Sequence, residues 1–195
     1  MISGILLAAG LSKRFGRDKS QIEFRGEAIL CCSLQRLVNT CADEIVVVCH
    51  AGNRKTLEEE STPPRVRIVV NAKTSSGMAG SIQCGLEKCH KHSQGVLIVH
   101  ADMPLVSTEL MNSMIGEFIR HKGKIIAPRF QGQQGNPVLI PRVFWNEIYE
   151  LRGDVGCKSI LGNRADQIHW LDVKSDEILF DIDTEDDYRE FIRRT

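Results

Sequence analysis

Short apolar runs at Ile2–Ala8, Glu44–Cys49, Val66–Val70 and Gly95–His100 alternate along this chain with segments whose apolar residues recur at helical spacing. Runs this short, this uniformly apolar and largely β-branched are strands covered on both faces. Between them, Leu30, Leu34, Leu37 and Val38 mark a helix over residues 28–39, and Met78, Ile82, Leu86 and Cys89 mark another. A polar stretch at 53–60 reads as a helical connection. Behind a cap at Ser107 or Thr108, Met111, Met114, Ile115, Phe118 and Ile119 form a further helical face. Residues 124–128, 136–140, 167–173 and 178–180 read as extended chain, and 141–151 as a short helix. A final helix is capped by Thr184 and carries Tyr188, Phe191 and Ile192. Strands alternating with helices specify an α/β fold, a three-layer α/β/α arrangement around a mostly parallel sheet. With 195 residues and no internal repeat or linker, the whole span 1–195 reads as a single domain.

Charge excludes some partners. The chain has 25 basic and 25 acidic residues, so no field favours nucleic acid or an anionic membrane surface. No apolar run is long enough to span a bilayer, and the N-terminal segment lacks the positive region of a signal peptide. Seven cysteines without a Cys-x-x-Cys pair point to reduced thiols and a cytoplasmic location. Cys89-His90-Lys91-His92 reads as a solvated helix end rather than a metal site.

The chemistry concentrates at the carboxyl ends of the strands, where open α/β sheets bind ligands. Ile5-Leu6-Leu7-Ala8-Ala9 breaks into Gly10-Leu11-Ser12-Lys13-Arg14-Phe15-Gly16-Arg17-Asp18-Lys19, a loop with two glycines and four cations. Glycines let the backbone approach a ligand and turn successive N–H groups toward an anion. Arg14 and Lys19 would add charge-assisted hydrogen bonds to phosphate oxygens. Lys19 lies three residues beyond Gly16 and no G-x-G-x-x-G is present, so neither a Walker loop nor a dinucleotide fingerprint fits. The fourth strand ends at Ala101-Asp102-Met103-Pro104, and Asp183 follows the last extended stretch, so both aspartates belong at the loop's edge. Mg²⁺ takes one or two carboxylates together with substrate phosphates, which such a pair would satisfy.

The first stretch resembles the signature L-A-[AG]-G-x-S-x-R-[MF]-G-x-x-K, and by it the chain is identified as a member of the MobA-like NTP transferase family of nucleotidyltransferases. Its Ala-Ala-Gly version is similar to that of molybdenum cofactor cytidylyltransferases. Gly77, Met78, Ser81, Ile82, Gly85 and Leu86 match a second motif, G-[ML]-S-S-S-[LI]-x-x-G-L, with Ala79 and Gly80 in place of two serines. Gly135-Asn136-Pro137-Val138 and Gly153-Asp154-Val155-Gly156-Cys157-Lys158 resemble two later motifs, with Asn136 where histidine is common.

The resemblance implies a Rossmann-like sheet of the nucleotide-diphospho-sugar transferase type. It also implies transfer of CMP from CTP to the terminal phosphate of a molybdopterin-type cofactor. Nucleotide would meet Leu7, Ala8, Ala9, Gly10, Ser12, Arg14, Lys19, Gly77 and Ser81. Arg14, Lys19 and Asp102 would be catalytic, and Asp102 and Asp183 would hold Mg²⁺ (Mn²⁺ as an alternative), with Asp181 a substitute for Asp183. Asn136, Gly153, Asp154 and Gly156 would meet the acceptor. A molybdenum hydroxylase is the implied recipient of the product. The competing expectations are a relative using another nucleotide or phosphorylated acceptor, and a non-catalytic chaperone that holds the cofactor.

Overall fold

A computed structural model describes residues 1–10, 22–60, 62–72, 76–162 and 164–195. Its first half contains strand β1 (Ile2–Ala8), the paired short strands β2 (Glu23–Phe24) and β3 (Glu27–Ala28), helix α1 (Ile29–Val38) and strand β4 (Glu44–Cys49). Helix α2 (Arg54–Glu58), β5 (Val66–Val70), α3 (Gly77–Leu86), β6 (Gly95–His100) and α4 (Thr108–Arg120) follow. The remainder is β7 (Ile125–Phe130), β8 (Gln133–Gln134), β9 (Val138–Pro141), α5 (Trp145–Glu150), α6 (Lys158–Leu161), β10 (Ile168–Asp172) and α7 (Glu185–Arg194).

The described strands form one main sheet in the order β10-β7-β9-β6-β1-β4-β5, with β8 folded back on β7. β1 sits between β4 and β6 and runs parallel to both, with Ile5 opposite Val46 on one side and Ile98 on the other. Because side chains alternate along a strand, its residues divide between two cores. Ile2, Leu6 and Ala8 pack with Leu34 and Leu37 of α1 and Met111 and Met114 of α4. Ile5 and Ala9 pack on the opposite face with Ile82 and Leu86 of α3 and Ile148 of α5. This is the three-layer α/β/α arrangement. α3 lies very close to the sheet because residue 85 is glycine: a Cβ there would stand 2.9 Å from two carbons of Ile5.

The structure corrects several expectations. Extended chain at 136–140 becomes β9, but it runs antiparallel to both β6 and β7, so the mostly parallel sheet carries one reversed strand inside it. β7 continues through Pro128 to Phe130 rather than stopping at the proline. Residues 178–180 form no strand. Ile178 closes a 3₁₀ turn, and its carbonyl accepts a hydrogen bond from the Asn136 N–H at 2.9 Å, in a loop contact that replaces a ladder bond. In α4 the buried stripe includes Leu110 and leaves Ile119 60% exposed, because a stripe centred on Met111, Met114, Ile115 and Phe118 turns position 119 outward. In α7 Phe191 is buried whereas Ile192 faces solvent. The caps stand as expected: the Ser107 hydroxyl accepts from the Leu110 N–H, and Thr184 and Asp187 form a reciprocal capping box. Among the described residues, no helix is long and apolar enough to cross a membrane.

Candidate functional site

Since β4, β1 and β6 are parallel neighbours, their carboxyl ends share one edge of the sheet, and a cavity of about 960 Å³ opens there. Leu7, Ala8, Ala9 and Gly10, the end of β1 and the two residues after it, line it. That end is held from both sides. The Ala101 N–H donates to the Leu7 carbonyl at 3.1 Å, and the buried Asn53 side chain donates through Nδ2 to the Ala8 carbonyl at 2.6 Å. Asn53 is fixed in turn, because its Oδ1 accepts from the His50 N–H at 3.1 Å while His50 Nδ1 accepts from the Gly52 N–H at 3.0 Å. Ala9 is therefore a rigid, buried methyl group on the cavity wall.

The opposite wall is the start of α3. Gly77 has φ +68°, and a Cβ there would stand 2.5 Å from the carbonyl carbon and oxygen of Gly153. The loop at 153–154 is docked against this helix end: the Ala79 N–H donates to the Gly153 carbonyl at 3.1 Å and the Met78 N–H to Asp154 Oδ1 at 3.3 Å. The sequence alone suggests a helix N-terminus with open N–H groups. In the structure two of them have partners within the chain. Ser81 is also engaged, its Oγ accepting from Asn71 Nδ2 at 3.2 Å and donating to the Gly77 carbonyl at 3.4 Å. Gly77, Ser81, Gly153, Asp154 and Gly156 all line the same cavity, which brings the expected nucleotide and acceptor residues into one space.

Acidic groups enter from two distant parts of the chain. The Asp102 carbonyl accepts from the Ile182 N–H at 2.9 Å, which seats the segment before α7 beside the end of β6. Asp102 and Asp183 are both half-buried, Asp181 is exposed, and all three line the cavity. The neighbouring Asp187 has another task. Its Oδ2 accepts from the N–H groups of Asp183 and Thr184, at 3.1 and 2.7 Å, and so sets the backbone that carries Asp183. Two hard carboxylates facing a space large enough for phosphates fit a hard divalent cation. Burial, with some help from Lys158, pushes the His100 imidazole below its ordinary value, although Asp102 and Asp181 oppose the shift.

Asn136 lines the cavity beside Val138, its backbone held to Ile178. Ser12, Arg14 and Lys19, the expected phosphate-loop groups, lie outside the described residues. Sequence reading gave no site role to His50, Asn53, His100 or to Lys158, the last residue of the Gly153–Lys158 motif, and all four also face the cavity. A signal existed for the histidines and Asn53: His100 ends β6 and the other two follow β4 at the edge already assigned to ligand.

The description "MobA-like NTP transferase domain" matches residues 4–168. The molybdenum cofactor cytidylyltransferase of Escherichia coli is 23% identical over 189 residues, covering 96% of this chain and 93% of that protein. Purine catabolism protein PucB of Bacillus subtilis is 27% identical, covering 98% and 95% respectively. A Mycobacterium tuberculosis protein solved as a complex with manganese superposes with a TM-score of 0.83 at 21% identity, over 100% of this chain and 99% of that one.

Proposed function

This chain belongs to the MobA-like NTP transferase domain family, a family of nucleotidyltransferases, and from that premise we propose a Mg²⁺-dependent cytidylyltransferase acting as one unit over residues 1–195. It would transfer CMP from CTP to the terminal phosphate of a molybdopterin-type cofactor. The observation that carries the reading is the single cavity in which the end of β1, the start of α3, the 153–156 loop and the Asp102–Asp183 pair meet. A transferase of this kind needs nucleotide and acceptor side by side, with carboxylates between the phosphates and the sheet.

In the proposed reaction an oxygen of the acceptor phosphate attacks the α-phosphorus of CTP. The bond from that phosphorus to the bridging oxygen breaks, and pyrophosphate leaves with the electron pair. Such transfer asks the protein mainly for positioning and charge neutralisation. Asp102 and Asp183 would hold Mg²⁺ or Mn²⁺, which when bound supplies positive charge to the phosphate oxygens. The Ala9 methyl, fixed by the bonds to Leu7 and Ala8, would narrow the base site toward a pyrimidine. Arg14 is assigned to the leaving pyrophosphate and Lys19 to the α-phosphate, both with the phosphate loop. Asn136, Gly153, Asp154 and Gly156 would receive the acceptor. In this reading the enzyme works in the cytoplasm and hands its product to a molybdenum hydroxylase.

Pyrophosphate release measured across the four nucleoside triphosphates, with and without molybdenum cofactor, tests the proposal. CTP with the cofactor should be used well above the other combinations. Equal use of CTP and GTP overturns the cytidylyl assignment. Tight cofactor binding with no pyrophosphate release would mark a binding chaperone instead. The likeness to PucB and Asn136 in place of a histidine favour a second reading, another acceptor or nucleotide, which the same assay exposes as release without molybdenum cofactor.

A further inference from the structure

Away from the cavity, among the described residues, Glu117, His121 and His169 bring a carboxylate oxygen and two imidazole nitrogens within 4.8 Å of one another. Glu117 and His121 lie one turn apart at the end of α4, and His169 comes from β10, the outermost strand on that side of the sheet. One oxygen serves both rings: Glu117 Oε2 is 3.2 Å from His121 Nε2 and 3.3 Å from His169 Nε2. The rings are stacked, with centroids 3.8 Å apart and planes inclined by 17°, so their Nε2 edges are presented together. The other oxygen, Oε1, pairs with the Arg120 guanidinium, which orients the carboxylate.

We infer that Glu117, His121 and His169 form a site for a divalent transition-metal ion of the zinc class, distinct from the nucleotide cavity. Two imidazoles and one carboxylate are a donor set suited to Zn²⁺ and its neighbours rather than to Mg²⁺. The spacing also fits. Metal–ligand bonds of about 2.0–2.1 Å arranged tetrahedrally place adjacent donor atoms roughly 3.3 Å apart, and both oxygen-to-nitrogen separations lie at that value. To close the third edge the two rings must turn out of their stack, since each imidazole binds an ion in its own plane, and the 42% and 31% exposure of the two side chains leaves room for that turn. The same exposure leaves the fourth position to water. Because His169 sits on an edge strand and the other two donors on a helix, the ion would pin β10 to α4. It would stabilise the folded chain as any ligand of the native state does.

The test is a titration of the full, reduced chain with Co²⁺ in the absence of nucleotide, alongside His121→Ala, His169→Asn and Glu117→Gln. Asp102 and Asp183 are intact in every variant, so binding in the nucleotide cavity cancels from the comparison. The expected result is a visible d–d band that saturates at one equivalent, with no thiolate charge transfer. Loss of either histidine should weaken binding by more than the roughly 10–100-fold typical of losing an outer partner, and Arg120→Ala should fall within that range. Zinc should raise the melting temperature of the parent chain and leave that of His169→Asn unchanged. Equal affinity in the parent and both histidine variants overturns the inference, as does a charge-transfer band showing that the cysteines hold the metal. A melting temperature of His169→Asn close to that of the metal-free parent establishes that the variant is folded.

Discussion

Replacing Gly77 with alanine tests whether the contact between α3 and the 153–154 loop is built into the site. The residue has φ +68°, a conformation that costs an L-residue roughly 1–2 kcal/mol. The added Cβ would also meet the Gly153 carbonyl carbon and oxygen at 2.5 Å, and these are backbone atoms that no rotamer change can move aside. The loop must retreat and release the Ala79–Gly153 and Met78–Asp154 hydrogen bonds. At this partly solvated position each is worth about 0.5 kcal/mol, the low end for such bonds. The sum is about 2–3 kcal/mol, which for a chain of this size lowers the melting temperature by roughly 4–12 °C. Kinetically, the retreat should raise KM for the acceptor more than KM for CTP, because the displaced loop carries the residues assigned to the acceptor. Gly10→Ala is the internal control for stability, since among the described residues a Cβ there meets nothing within 4 Å. Denaturant and thermal unfolding of both variants, with steady-state kinetics of Gly77→Ala, are the assays. A Gly77→Ala protein as stable as Gly10→Ala would refute the reasoning, because strain and clash are both read directly from the backbone.

Other perturbations address the chemistry. Asp102→Asn should lower turnover by an amount equivalent to roughly 3 kcal/mol, as removal of a group stabilising transferring phosphate does. Unchanged unfolding and turnover near normal would remove it from the site. Asp183→Asn should behave like Asp102→Asn, and Asp181→Asn should cost less because that side chain is exposed; the reverse ranking would make Asp181 the ligand. Ala9→Gly should relax preference for CTP over GTP without inverting it, since one methyl in a pocket is worth only about 1–3 kcal/mol; competition between the two nucleotides measures this. Burial pushes the thiols of Cys31, Cys89 and Cys157 up to about 12. A raised folded-state value contributes stability that is complete below the unfolded value and is lost as pH rises toward the folded one. Denaturant unfolding should therefore show stability falling from about pH 9 upward, the ordinary thiol value being 9.0. A flat profile to pH 11 would count against buried, protonated thiols.

Much of this organisation was legible in the amino-acid order because it depends on near neighbours. β1, β4, β5 and β6 are apolar runs bounded by turn residues. α4 and α7 begin at Ser107 and Thr184, whose hydroxyls reach only to the third residue onward. Asp102 could be placed at the carboxyl edge because Pro104 stops β6 nearby, and Ala9 and Gly10 because the apolar run ends there.

Tertiary structure decided what depends on segments far apart in sequence. The reversal of β9 between β6 and β7 follows from which strands it pairs with, and its own residues carry no mark of direction. Two N–H groups at the start of α3, those of Met78 and Ala79, are filled by Asp154 and Gly153, some 75 residues away, a distance at which spacing rules are silent. Asp183 stands beside Asp102 only because the Ile182 N–H reaches the Asp102 carbonyl across the fold. Likewise Glu117 and His121 are an ordinary pair one helical turn apart until β10, running parallel to β7, brings His169 to the same oxygen. Local periodicity and capping act within a turn or a strand, whereas strand direction, helix-end partners and converging side chains are settled when distant surfaces pack.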